Sequence, residues 1–115
     1  MKFRLPFPPS INTYWRHFRG RPIISAKGRE YGKTVAYSIG QQRQNETLTG
    51  RLAVTIHMTM PNKIRRDIDN FQKVALDALT HAGVWGDDSQ IDDLRCVREA
   101  IKKPGWIDVE ITEIG

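Results

Sequence analysis

The stretch RRDIDNFQK, residues 65–73, sets Asp67 and Asp69 two apart, directly after Arg65 and Arg66, with Lys73 four residues beyond Asp69. Carboxylates without paired cysteines or histidines select hard cations such as Mg²⁺ or Mn²⁺. A cation of that kind activates water and neutralises a phosphate under attack. Arg65, Arg66 and Lys73 would then hold phosphate oxygens or stabilise developing charge. The chemistry suggested is metal-dependent cleavage of a phosphodiester. Taken singly, each residue also has an ordinary use. Asp67 can cap a helix, a helix N-terminus favours carboxylates, and Asp69 with Lys73 is a common surface pair worth a few tenths of a kcal/mol.

A helix is needed to position them. Ile68, Phe71, Val74, Ala75, Ala78, Leu79 and Ala82 form one apolar stripe, which predicts a helix from near Asp67, with Gly83 at the C′ position. Asp69, Lys73 and Asp77 share another face of that helix, and Asp67 stands at its head. The turn VWGDDSQ follows, carrying Asp87 and Asp88. If the next strand runs back along the helix, one of these two approaches the helix start.

Before the helix, LAVTIHMTM (52–60) alternates strictly and predicts a strand ended by Pro61. Residues 91–101 and 106–114 read as further strands joined through Pro104-Gly105. Near the N-terminus, KFRLPF (2–7) predicts a short strand in which Pro6 marks an edge or a strand end. TYWRHFRGRP (13–22) reads as a loop in which Tyr14, Trp15 and Phe18 either stack on bases or are buried. Residues 25–44 predict a helix capped by Ser25, followed by a turn over residues 45–50. Trp85 and Trp106 read as packing residues. The expected fold is a single α+β domain over residues 1–115, in the order β-α-β-α-β-β, with a mixed or mainly antiparallel sheet packed with helices.

The charge is divided along the chain. Residues 1–60 hold ten Lys and Arg against two Glu, a net of +8, whereas residues 61–115 hold eight against eleven acids, a net of −3. A basic half suits a polyanion such as nucleic acid, with Arg16, Arg19, Arg21 and Lys27 as candidate phosphate contacts. An aspartate cluster beside it would repel phosphate unless a divalent cation intervened. Cys96 is the only cysteine, which excludes an internal disulfide and a cysteine-built zinc site. The single thiol suits a reducing cytoplasm, and no apolar run is long enough to span a bilayer nor is a signal peptide visible, so a cytoplasmic, non-membrane protein is expected.

The block RRDIDNFQKVALDALTHAGVWGDDSQIDD, the N-terminal LPFPPSINTYWRH-RGR pattern with Phe18 inside it, SAKGREY, and the C-terminal VEITEIG together resemble the RusA family of Holliday junction resolvases. The resemblance implies a Mg²⁺-dependent homodimer that nicks four-way DNA junctions in pairs. It carries the family's essential aspartates onto Asp67, Asp69 and Asp88 and its essential lysine onto Lys73. Asn70 and Asp87 match further positions, as supporting residues. The alternative is a structure-selective DNA-binding protein that does not cut, whose aspartates are caps and surface charges.

Overall fold

The computed structural model describes residues 1–42 and 46–115. Among the described residues, six strands and three α-helices follow the order β1 (Lys2–Pro6), α1 (Ile11–Tyr14), β2 (Trp15–Phe18), β3 (Arg21–Ile24), α2 (Ala26–Gln42), β4 (Arg51–Met60), α3 (Asp69–His81), β5 (Ile91–Ile101) and β6 (Trp106–Ile114), with a 3₁₀ turn at Asp88–Gln90. Four strands form a mixed sheet in the order β1-β6-β4-β5. β4 runs antiparallel to β6 and parallel to β5, because α3 carries the chain back between them. The expected α+β domain is therefore present, with its six-element frame intact.

The alternation read in β4 decides the layering. Leu52, Val54, Ile56, Met58 and Met60 are buried, beside Ile107, Val109 and Ile111 of β6 and Phe3 and Leu5 of β1. The same core holds Tyr31, Val35 and Ile39 of α2 and Phe71, Val74, Ala75, Ala78 and Leu79 of α3. One sheet face thus meets both long helices. The other carries Lys2, Arg4, His57, Asp108 and Glu110, which pair among themselves.

Residues 13–22 correct the sequence reading. They form no plain loop but the end of α1 and a two-stranded hairpin, β2–β3, in which Phe18 faces Arg21 across a two-residue turn. Arg19 and Gly20 take positive φ of 51° and 75°, the backbone that closes a tight hairpin. Arginine at such a turn masks the usual Asn-Gly signal. The root of the hairpin is fixed: Ser25 N–H donates to the Tyr14 carbonyl (2.8 Å), and Gly28 of α2 lies so close that a Cβ would stand 2.7 Å from that same oxygen. Tyr14 is buried, Trp15 half-buried and Phe18 exposed.

Ser25 caps α2 as expected, its Oγ accepting from Gly28 N–H at 3.0 Å. That helix is described to Gln42. The expected helical positions Arg43 and Gln44, and Asn45 at the head of the expected turn, lie outside the described residues. Two other expectations need correction. Regular α3 begins at Asp69, not Asp67, and its N-cap position is Ile68 with no side-chain cap. Asp67 contributes only its carbonyl, which accepts from Asn70 N–H at 3.1 Å. At the other end Gly83 (φ 80°) does terminate the helix. Gly83 N–H reaches the Thr80 carbonyl and Val84 N–H the Leu79 carbonyl, the two bonds of a Schellman turn.

Candidate active site

α3 aims its polar face at the 3₁₀ turn that follows it. Lys73 Nζ lies 2.9 Å from Asp77 Oδ1 and 3.1 Å from Asp88 Oδ2. The i,i+4 partner of Lys73 is therefore Asp77, one turn onward, and not Asp69. The bond to Asp77 is the main cause that raises the pKa of Lys73; burial opposes it, and Asp88 adds to it.

Asp88 is engaged at both oxygens. Oδ1 accepts from the Thr80 hydroxyl at short range and from Trp85 Nε1 at 3.2 Å, while Oδ2 accepts from Lys73. Burial pushes this carboxyl up, but the bonds from Thr80, Lys73 and Trp85, with the lysine charge, outweigh it and leave the pKa lowered. Asp87 has a different task. Its carboxylate accepts from Ser89 N–H (2.8 Å) and Gln90 Oε1 accepts from Asp87 N–H (3.1 Å), a capping box that fixes the turn presenting Asp88.

Asp67 and Asp69 stand at the head of α3 with exposed carboxylates. Among the described residues neither side chain has a hydrogen-bonding or ionic partner, and no three His, Cys, Asp or Glu side chains gather closely enough to enclose a metal ion. The structure thus brings Lys73 to Asp88 and leaves Asp67 and Asp69 apart from them. The donors are all carboxylate oxygens, two of the three carboxylates are unengaged, and a hard divalent cation is the metal they suit.

A cationic cleft of about 280 Å³ adjoins Asp67. Asn62, Lys63, Arg65, Arg66 and Arg98 line it with that aspartate. Arg66 is not freely solvated: Nη1 donates to Asn62 Oδ1 at 2.6 Å, and Arg98 Nη2 donates to the Arg66 carbonyl at 2.5 Å. Arg65 is exposed, and Asn70 lies half-buried against a second cleft with Arg65, Arg66 and Asp67. Arg16, Arg19 and Arg21 are exposed on the hairpin, and Lys27 is exposed in the first turn of α2.

Four polar partners were not singled out as site residues from sequence. Asp77 had a legible signal, its i,i+4 spacing from Lys73. Thr80 extends that face by three residues, but nothing in its spacing shows that it meets Asp88. Trp85, read as packing, is fully buried and packs, yet it also donates its indole N–H to this carboxylate. Arg98 comes from β5, and only the parallel strand pairing carries it to the cleft.

The sequence profile described as endodeoxyribonuclease RusA matches residues 6–112. The chain belongs to the RusA family. Proteins named crossover junction endodeoxyribonuclease RusA from Escherichia coli K12 and from an O1:K1 strain are each 45% identical to it over 111 residues, covering 96% of this chain and 92% of theirs. The protein of that name from Enterobacteria phage 82 is 45% identical over the same coverage. Membership in the RusA family makes this chain an endodeoxyribonuclease.

Proposed function

We propose that this nuclease resolves four-way DNA junctions by paired, symmetric, Mg²⁺-dependent nicks, acting as a homodimer in the cytoplasm during recombination and repair. The observation that carries the reading is likeness over nearly the whole chain to proteins named crossover junction endodeoxyribonucleases, joined to a lysine in contact with one of the matched aspartates. Asp67, Asp69 and Asp88 would hold Mg²⁺, with Mn²⁺ a workable substitute. The bound ion would supply an activated water and offset charge on the scissile phosphate. Lys73, whose ammonium contacts Asp88, acts on the phosphate or the leaving oxygen. Asp87 and Asn70 support the two ends of the arrangement.

Arg65 and Arg66, in the cleft beside Asp67, would grip the phosphate backbone near the cut. Arg16, Arg19, Arg21 and Lys27 would extend that grip along an arm, fixing position without reading bases.

Support for a homodimer comes from β5. It is an edge strand of eleven residues, and Leu94, Val97 and Ile101 are exposed on it. A long free edge bearing apolar side chains invites pairing with another chain. A two-fold partner would give two sites for two symmetric nicks. The deciding experiment incubates the protein with a synthetic four-way junction and with linear duplex of the same sequence, with Mg²⁺ and with chelator. Mg²⁺-dependent paired nicks in the junction alone are expected. Junction binding without cleavage would favour the non-catalytic alternative.

A further inference from the structure

Asp88 receives its hydrogen bonds in a fixed order. Trp85 Nε1 lies 2.7 Å from Thr80 Oγ1 and 3.2 Å from Asp88 Oδ1. Thr80 Oγ1 lies against Asp88 Oδ1 and 3.0 Å from the Leu76 carbonyl. A threonine hydroxyl has one proton, and an ionised carboxylate has none. If that proton pointed to Leu76, two bare oxygens would face each other at the Thr80–Asp88 contact. The proton therefore points to Asp88, and the hydroxyl accepts from the indole. The result is a relay, indole N–H to hydroxyl to carboxylate, in which each bond polarises the next.

Packing explains the burial of the Trp85 ring but not the aim of its N–H. That direction is set by Thr80 and Asp88, and the backbone around it is locked by the Schellman turn on one side and the Asp87 capping box on the other. Oδ1 is saturated from within. Oδ2 has one partner among the described residues, the half-exposed ammonium of Lys73.

We propose that Thr80 and Trp85 are positioning residues for Asp88, holding it through Oδ1 so that Oδ2 faces the cleavage site. This rests on the reading of Asp88 as a metal-binding residue. Partners that orient a ligating carboxylate cost about 10- to 100-fold in metal affinity or activity when removed. Thr80→Val removes the hydroxyl at constant shape, and Thr80→Ser restores it.

The test follows the Trp85 indole N–H resonance of the ¹⁵N-labelled full chain during titration with Mg²⁺ alone, beside single-turnover cleavage of a four-way junction. Thr80→Val should shift that resonance in the free protein and leave metal-free junction affinity within about twofold. It should also slow cleavage and raise the Mg²⁺ concentration that half-saturates the resonance, each by about 10-fold or more. Thr80→Ser should return both toward wild type. Superimposable Mg²⁺ titrations of wild type and Thr80→Val would overturn the proposal, as would equal impairment of the Val and Ser variants. If Thr80→Val fails to fold, Thr80→Cys, whose thiol is a weak donor, replaces it and must fall below Thr80→Ser. A wild-type protein that leaves junctions uncut overturns the resolvase reading instead, and the indole titration still decides the role of Thr80.

Discussion

Lys73 bridges two carboxylates, with its ammonium 2.9 Å from Asp77 and 3.1 Å from Asp88. The side chain remains about half exposed. A purely structural ion pair in that setting contributes well under about 1 kcal/mol. The lysine is thus held in place and still free to exchange its partners for a phosphate.

Lys73→Ala should therefore separate the two roles. We expect a loss of about a hundredfold or more in single-turnover cleavage, comparable to removing a transition-state donor, with a change in melting temperature of only a few degrees. Full activity with a slightly lowered melting temperature would assign Lys73 to the surface pair alone.

Asp67→Asn, Asp69→Asn and Asp88→Asn should each abolish cleavage while junction binding, measured by gel shift in chelator, survives. Asp67 and Asp69 lack side-chain partners among the described residues, so neutralising them breaks no hydrogen bond or ion pair. Their variants should melt within a few degrees of wild type without Mg²⁺. Asp88→Asn should melt lower, because it disrupts the bonds from Thr80, Trp85 and Lys73. Near-normal cleavage by Asp69→Asn would remove it from the metal-binding set.

The hairpin makes a separable prediction. Replacing Arg19 and Arg21 together with alanine should weaken junction binding and flatten its logarithmic salt dependence by about one to two units, since each lost phosphate contact releases about one fewer counterion. Phe18→Ala should reduce the preference for junction over duplex if the exposed ring stacks on an unpaired base, a contact worth about 1–3 kcal/mol. Identical competition curves for Phe18→Ala and wild type would show that the ring does not read the branch point.

If the proposed dimer forms through β5, Val97→Glu should convert the sedimenting species from dimer to monomer at micromolar concentration, and paired nicks to slow, uncoordinated ones. A charge at Val97 leaves the fold intact because this side chain is already exposed in one chain. An unaltered dimer would move the interface elsewhere.

Tyr31 ties α2 to the end of β1, its hydroxyl donating to the Pro6 carbonyl at 2.8 Å. Tyr31→Phe should cost about 1 kcal/mol at neutral pH. Burial raises the folded pKa of this phenol above its ordinary 10.0. Its contribution is fully present below that value and is lost as pH rises through the folded pKa. The gap in urea midpoint between wild type and Tyr31→Phe should therefore narrow above about pH 10.

Local periodicity carried most of the fold. The alternation of Leu52, Val54, Ile56, Met58 and Met60 and the stripe from Phe71 to Leu79 each bury what their spacing predicted. The hairpin was hidden because its turn uses Arg19 at positive φ, where propensity favours Asn or Gly. The start of α3 shifted because backbone bonds alone close its first turn, so Asp67 is left uncommitted. In the site, the charged residues were legible by type and spacing. The bonds from Thr80 and Trp85 to Asp88 were not, since they depend on how the Schellman turn at Gly83 folds the chain back.

Every residue assigned to the chemistry lies between Asp67 and Asp88, on the single excursion that links β4 to β5. The arm bearing Arg16, Arg19 and Arg21 is a separate excursion ending in a two-residue surface turn. Tips of this kind tolerate insertion and replacement well. In the function proposed here, backbone grip and bond cleavage therefore sit on separate parts of one small domain. If the arm grips DNA as proposed, a lineage, or a protein engineer, can retune that grip by altering residues 18–21 while the cutting apparatus is inherited unchanged.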